Sequence, residues 1–322
     1  MARTTTIEWT EHTWNPFVGC SVHSAGCTNC YAMRQAFRIE QFGSAPHYAG
    51  VTEKRGGAVV WTGKIARASD RAFHKPAEIR GRALIFVNSM SDFWHSSALD
   101  EWRIKAIEVM RAIPRHAFQV LTKRPEEALA FFARNPGVTL PDNFWAGVTV
   151  ERADVRHRID TLRQIDAKVR FISFEPLIGD AGPVDLRGID WAITGGESGI
   201  GHRRCDAAWV RSLHRQAQAQ GVAHFFKQWG HWTNNPLRAN CPPGVSGEAW
   251  IRQVDPVGKG GSLLDGEPCK QMPSCWQALQ DEADVTHSSA RLPSGFGAAD
   301  NGAAHAPGQC EQSAIDDFIL TA

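Results

Sequence analysis

Residues 169–197 carry two runs of one kind. The first is Val169-Arg170-Phe171-Ile172-Ser173-Phe174-Glu175 and the second Asp190-Trp191-Ala192-Ile193-Thr194-Gly195-Gly196-Glu197. Each is short, apolar and rich in β-forming residues, and each ends in a carboxylate. Near-continuous apolar character suits a parallel strand covered on both faces. The same signature recurs at 83–88, 117–122, 144–150 and 223–227. Between these runs lie stripes at helical spacing. One is Leu99, Trp102, Ala106, Met110 and Ile113, closed by Pro114; another is Val155, Ile159, Leu162 and Ile165. A third, Val210, Leu213 and Ala217, has Asp206 as its cap and Gly221 as its stop, and a shorter helix covers 126–134. Ser97-Ala98-Leu99-Asp100 resembles a capping-box start for the helix after it.

Towards the N-terminus, a short strand near 14–18 leads into a cysteine loop, a helix follows over 27–41, and 43–82 form an excursion with a short helix. The count predicts an α/β fold, a partial (β/α)6–7 TIM-like barrel of parallel strands over residues 1–235. An open doubly wound sheet is the alternative. Residues 236–282 read as an irregular C-terminal extension of the same domain, and 283–322, rich in Ala, Gly, Ser and Asp, as a disordered tail.

The 322 residues carry a net charge of +1, so there is no global attraction to nucleic acid or to an anionic membrane. No apolar run reaches the ~18 residues of a membrane span. Nor do the first residues hold the apolar centre of a signal peptide. The expected compartment is the cytoplasm, with no membrane partner.

In a reducing compartment, clustered thiols point to metal or catalysis rather than to disulfides. Cys20, Cys27 and Cys30 fall within eleven residues, spaced C-x6-C-x2-C, after the first expected strand. Three thiolates hold three irons of a [4Fe–4S] cluster and leave the fourth iron open. S-adenosylmethionine chelating that iron would accept an electron, break a C–S bond and release a 5′-deoxyadenosyl radical. A zinc site completed by His12, His23 or Cys205 is the second reading, giving a nucleic-acid or protein binding module. A thiol loop without metal is the third.

Ligand-binding residues of parallel β/α folds gather at the carboxyl ends of strands. Those ends here hold Ser89 and Asp92, Lys123 and Arg124, Glu151, Glu175, Gly195-Gly196-Glu197, and Lys227. Glu151, Glu175 and Glu197 offer acceptors for amines and ribose hydroxyls. Lys123, Arg124 and Lys227 offer positive charge for carboxylate or phosphate. Lys123, Glu175 and Lys227 are the catalytic candidates, and His95 is a candidate proton donor. A hydrolase or transferase built on the three glutamates is a further reading. Among the twelve tryptophans, Trp94, Trp229 and Trp232 adjoin strand ends and are candidates for stacking on bases.

The run from Trp14-Asn15-Pro16 to Cys30-Tyr31-Ala32 resembles the phage three-Cys-motif, or gp-thirty-seven-like, proteins. So do Asn88-Ser89-Met90-Ser91-Asp92, Leu121-Thr122-Lys123-Arg124-Pro125 and Phe225-Phe226-Lys227-Gln228-Trp229-Gly230. The resemblance covers about residues 7–274. It implies a divergent radical S-adenosylmethionine protein whose reaction is unassigned. Cys20, Cys27 and Cys30 would hold the [4Fe–4S] cluster. Tyr31, Ser89, Asp92, Glu151, Glu175, Gly195, Gly196 and Glu197 would line the S-adenosylmethionine site. An electron donor of flavodoxin or ferredoxin type is implied, with a nucleic-acid substrate and a partner protein encoded nearby as further expectations. The first cysteine gap is three residues longer than the superfamily's usual C-x3-C-x2-C, and Asn88–Asp92 stand where its Gly-Gly-Glu would follow the second strand.

Overall fold

The computed structural model describes residues 5–43 and 45–276. Seven parallel strands form one sheet: β1 (His12–Trp14), β2 (Leu84–Val87), β3 (Ala117–Thr122), β4 (Phe144–Thr149), β5 (Val169–Phe174), β6 (Trp191–Gly195) and β7 (Ala223–Gln228). Their spatial order is their chain order. A doubly wound sheet reverses its order at a switch point, so that alternative does not hold. The sheet curls into a half-barrel, a partial TIM-like architecture.

Among the described residues the α-helices longer than one turn are α1 (Tyr31–Phe42), α2 (Asp100–Ala112), α3 (Pro125–Arg134), α4 (Arg158–Arg163), α5 (Ala207–Ala219) and α6 (Gly247–Val254). The link from β5 to β6 holds no helix, so the β/α repeat lapses there. Outward residues such as Ile85, Phe118, Val148 and Ile172 pack with Met110, Phe131, Leu162 and Leu213 of the helices. The inner face carries Phe86, Trp145, Phe171, Trp191 and Phe225, closed by Trp9 and Trp276.

The Trp9 ring lies 4.8 Å from Phe86 on β2 and 6.2 Å from Trp191 on β6. One side chain reaches both only because the sheet curls. Trp191 is fully buried against Trp9, Trp145, Phe171 and Phe225, so truncating it to alanine costs about 3–5 kcal/mol. This aromatic layer fills one end of the inner face. Lys123, Thr149, Glu175 and Lys227 stand at the other, at the carboxyl ends of β3, β4, β5 and β7.

Three local expectations need correction, and a fourth gains an element. The strand expected at 14–18 is split at Pro16, which has no N–H to donate. His12–Trp14 joins the main sheet, whereas Phe17–Val18 pairs antiparallel with Ala66–Arg67. The helix expected from 27 begins at Tyr31, because Ala25–Cys27 form a 3-10 turn. Leu99 rather than a capping-box serine precedes α2, and the Ser97 amide donates instead to Nδ1 of His95. The excursion 43–82 holds the expected short helix, Asp70–Phe73, and adds a hairpin, Thr52–Arg55 with Ala58–Trp61, turned by Gly56 and Gly57 at positive φ.

The described part of the C-terminal extension is likewise ordered. Ser246 caps α6, and Leu263–Leu264 pairs with Glu267–Pro268 around Asp265-Gly266. The tail expected at 283–322 lies outside the described residues. Among the described residues no helix is long and apolar enough to cross a membrane.

Candidate functional site

The loop between β1 and α1 carries the three cysteines, all free. Cys30 directly precedes α1. Cys20 is held from β2 and β3. Arg124 approaches its sulfur at 3.8 Å and donates to the Ser21 carbonyl at 2.8 Å and the Ser21 hydroxyl at 3.0 Å. Asp92 fixes Arg124 at 3.0 Å and also accepts from Thr122, the Lys123 amide and the Trp94 amide. Burial opposes the Asp92 charge, yet Arg124 and these donors outweigh it and hold the pKa below its ordinary value. Burial and then the Asp92 charge push the Cys20 thiol up to about 12, with Arg124 acting the other way. Burial also raises Cys30, opposed by Lys123 and by the amides of Ala32 and Met33 at the start of α1. A metal ion would deprotonate both thiols on binding.

Two further carboxylates hold the same loop. Glu151 is buried, pairs with Arg158 at 2.8 Å and accepts from the Ser24 hydroxyl. A Cβ on Gly26 would collide with it, so glycine is required there. Glu197 takes Arg203 and, at 3.0 Å, the Asn29 amide beside Cys30. Arg203 also donates to the Ala25 carbonyl at 2.8 Å. Burial opposes the Glu197 charge, but the Arg203 and Asn29 hydrogen bonds hold its pKa low. The expected ligand residues Asp92, Glu151 and Glu197 thus have protein donors on their carboxylates and fasten the cysteine loop to β2, β4 and β6.

The inner-face carboxyl end is more open. Lys227 pairs with Glu175 at 2.6 Å, and Lys123 points Nζ at the Thr149 hydroxyl, 3.4 Å away. A Cβ on Gly195 would sit 3.2 Å from the Glu175 carboxyl carbon, whereas Gly196 packs so tightly on the Trp229 carbonyl that no side chain fits. Tyr31 is half-exposed and donates to the Ser89 carbonyl at 3.3 Å. Next to Ser89, Asn88 adopts a left-handed backbone (φ 60°) and buries an amide with neither atom paired. Such a group marks a place for water or a ligand. Lys259 adds charge from the extension; partial burial and then Lys227 lower its pKa.

Other expected roles change. Trp94 packs among Phe93, Phe131 and Phe132, and Trp229 is buried with its indole N–H on the Leu263 carbonyl. Neither presents a face to a base. Trp232 is half-buried, with its ring against Gly247. His95 is buried, hydrogen-bonds Ser21 at 2.8 Å, and has its pKa lowered to about 4 by burial and then Arg124. It is neutral at pH 7. Of the proposed fourth zinc ligands, Cys205 lies in the sheet–helix core and His12 on β1, whereas exposed His23 lies within the field of Arg124 and Arg158. A cavity of about 350 Å³ beside β1, lined partly by His12, Trp14 and Ile79, shares no residue with the cysteine loop.

Sequence reasoning missed Asn29, Arg158, Arg203 and Lys259. Asn29 meets Glu197, and Arg203 meets Ala25, only across the fold, whereas Arg158 and Arg203 reach Glu151 and Glu197 seven and six residues away, at a spacing that matches no regular period.

Fold and site define a β/α half-barrel protein with a thiol-bearing loop at its carboxyl rim. Residues 4–273 match the family described as protein of unknown function, DUF5131, and the chain belongs to that family. Neither the curated proteins nor the solved structures include a match to the chain.

Proposed function

We propose that the chain is a radical S-adenosylmethionine enzyme in which Cys20, Cys27 and Cys30 hold a [4Fe–4S] cluster. The observation that carries this reading is the setting of the thiols: three free cysteines on the carboxyl rim, with Arg124 on Cys20 and the Lys123 charge reaching Cys30. A cluster held by three thiolates is a net anion, which these cations and the α1 N-terminus would stabilise. A mononuclear zinc draws its sulfurs within ~4 Å of each other, because each Zn–S bond is only ~2.3 Å. Among the described residues, the group of three such donor atoms within 4.8 Å is His214, His224 and Cys269, not the cysteine run. A cluster, in contrast, gives each thiolate a different iron.

When bound, the cluster and S-adenosylmethionine would supply one-electron reductive cleavage of a sulfonium C–S bond, the route to a 5′-deoxyadenosyl radical. The chain's own residues orient the reactants. Arg124 and Asp92 fix Cys20; Glu151 and Glu197 fix the loop around Gly26 and Asn29. Tyr31, Ser89, Asn88 and Gly195 border the open end, and Glu175 and Lys227 are a carboxylate–ammonium pair matched to the amine and carboxylate of an amino-acid moiety. The electron comes from a flavodoxin- or ferredoxin-type donor in the cytoplasm, and a nucleic-acid base is the proposed substrate class. A nearby-encoded protein is the proposed partner.

The test is anaerobic reconstitution with iron and sulfide, compared with a Cys20→Ala, Cys27→Ala, Cys30→Ala variant. About four irons per chain, absent from the variant, and a reduced-cluster EPR signal that shifts with S-adenosylmethionine are expected. No iron, together with tightly bound zinc that the triple variant loses, would overturn the reading in favour of the zinc-binding alternative.

A further inference from the structure

A second group of metal-ligating atoms lies away from the rim. His214 projects from α5, His224 from the start of β7, and Cys269 follows the Leu263–Pro268 hairpin. The two Nδ1 atoms are 2.9 Å apart; Sγ of Cys269 lies 3.2 Å from Nδ1 of His224 and 3.7 Å from Nδ1 of His214. A tetrahedral zinc with Zn–N of ~2.05 Å and Zn–S of ~2.3 Å sets its ligand atoms ~3.3 Å (N to N) and ~3.6 Å (N to S) apart. The observed triangle needs adjustments of only a few tenths of an ångström.

The surroundings suit a ligand set. Nε2 of His224 is 3.0 Å from the buried Thr194 hydroxyl. A proton held on Nε2 by that contact leaves Nδ1 free for a metal, the arrangement that orients ligating imidazoles. At most one proton can lie between the two facing Nδ1 atoms. His224 is fully buried, whereas His214 and Cys269 are half-buried, which gives an ion a route in and a solvent position for a fourth ligand.

The site also joins three separate pieces of chain. β7 is the last strand of the sheet, and its outer edge is covered by the Cys269 segment. The Phe226 amide donates to the Cys269 carbonyl at 2.7 Å, the Gln271 amide to the His224 carbonyl at 3.1 Å, and Phe225 bridges Lys270. An uncovered edge is a hazard, and a metal at this point would fasten its cover.

We propose that His214, His224 and Cys269 form a second, mononuclear site for a zinc-class divalent cation, bound through Nδ1, Nδ1 and Sγ, which clamps the C-terminal segment onto the edge of the half-barrel. Binding forms two metal–nitrogen bonds and one metal–sulfur bond and releases the Cys269 thiol proton to solvent. The proposal is independent of the radical-enzyme reading.

The experiment uses the full chain with Cys20, Cys27 and Cys30 replaced by alanine, stripped of metal and titrated with zinc against a chromogenic chelator. About one equivalent of zinc should bind, weakened ~100-fold or more by Cys269→Ser or His214→Gln and ~10-fold by Thr194→Val. Cobalt in place of zinc should show a thiolate charge-transfer band that Cys269→Ser removes. Should the alanine variant not fold, the chain with its N-terminal cysteines intact should still bind one equivalent more than its Cys269→Ser counterpart. No stoichiometric binding, or binding that Cys269→Ser leaves unchanged, would overturn the site.

Discussion

The cysteine loop and the His214–His224–Cys269 group, the two proposed metal sites, are held together in opposite ways. The loop has little regular structure, and charged partners on strand ends hold it: Arg124 with Asp92, Glu151 with Arg158, and Glu197 with Arg203. The second group needs none of these. Its donors come from a helix, a strand and a hairpin end whose backbone bonding already sets them a few ångströms apart. A loop site held by ion pairs should respond to charge removal, whereas a site held by backbone pairing should respond only to loss of its own ligands.

The sharpest way to break that contrast is to exchange ligands across it. Cys27→Ala should abolish iron incorporation while the second site still binds zinc, and Cys269→Ser should do the reverse. Iron and zinc analysis of both variants decides it. A chain in which either change removed both metals would have one coupled site.

Next in size is the support of the loop. The Arg124 and Asp92 side chains are only 8% and 7% exposed. Removing one partner of a buried pair leaves an uncompensated charge, so Arg124→Met should lower stability by about 3–5 kcal/mol in urea unfolding. Arg124→Met combined with Asp92→Asn should recover part of that loss. If Arg124→Met unfolded at the wild-type midpoint, the loop would not depend on the pair.

His116 supplies a control remote from both groups. It is buried, with one ring nitrogen on the Pro76 carbonyl and Nδ1 unpaired. Burial, then Arg115, lower its pKa from 6.5 to about 4. The unfolded chain therefore binds this proton first as pH falls. The stabilisation is full above pH 6.5 and is lost between there and about pH 4. It amounts to at most about 3 kcal/mol. His116→Gln, which keeps a donor for Pro76, should flatten the acid limb of the stability–pH curve by close to one proton without changing either metal content. An unchanged limb would mean that His116 does not titrate with unfolding.

The two groups also differ in how visible they are in the sequence. The strands are legible because each is an apolar run ending in a polar residue, and the cysteine run because its ligands are contiguous. Which strand face lies inside the curl is not legible, since Phe86 and Val87, or Phe171 and Ile172, are equally apolar neighbours. The glycine turns at Gly56-Gly57 and Asp265-Gly266 were present as signals, but their strands are too short to stand out. Asn29 meets Glu197, and His214 meets Cys269, only through the fold. No periodicity or spacing announces contacts of that range.

The smallest stability effect should come from the residue nearest the proposed chemistry. Glu175 and Lys227 are 18% and 16% exposed, about twice the exposure of Asp92 and Arg124. Water at the open end of the inner face can solvate a Glu175 left alone, so Lys227→Met should cost about 1 kcal/mol or less. If the pair serves the amino-acid moiety of S-adenosylmethionine, the same change should weaken its binding to the reconstituted protein about tenfold or more, the worth of a charge-assisted hydrogen bond. A large loss of stability with unchanged binding would make Lys227–Glu175 another strut of the kind that holds the cysteine loop. A small loss with weakened binding would separate the open end of the half-barrel, where charges are kept for a ligand, from the rim, where they are spent on the fold.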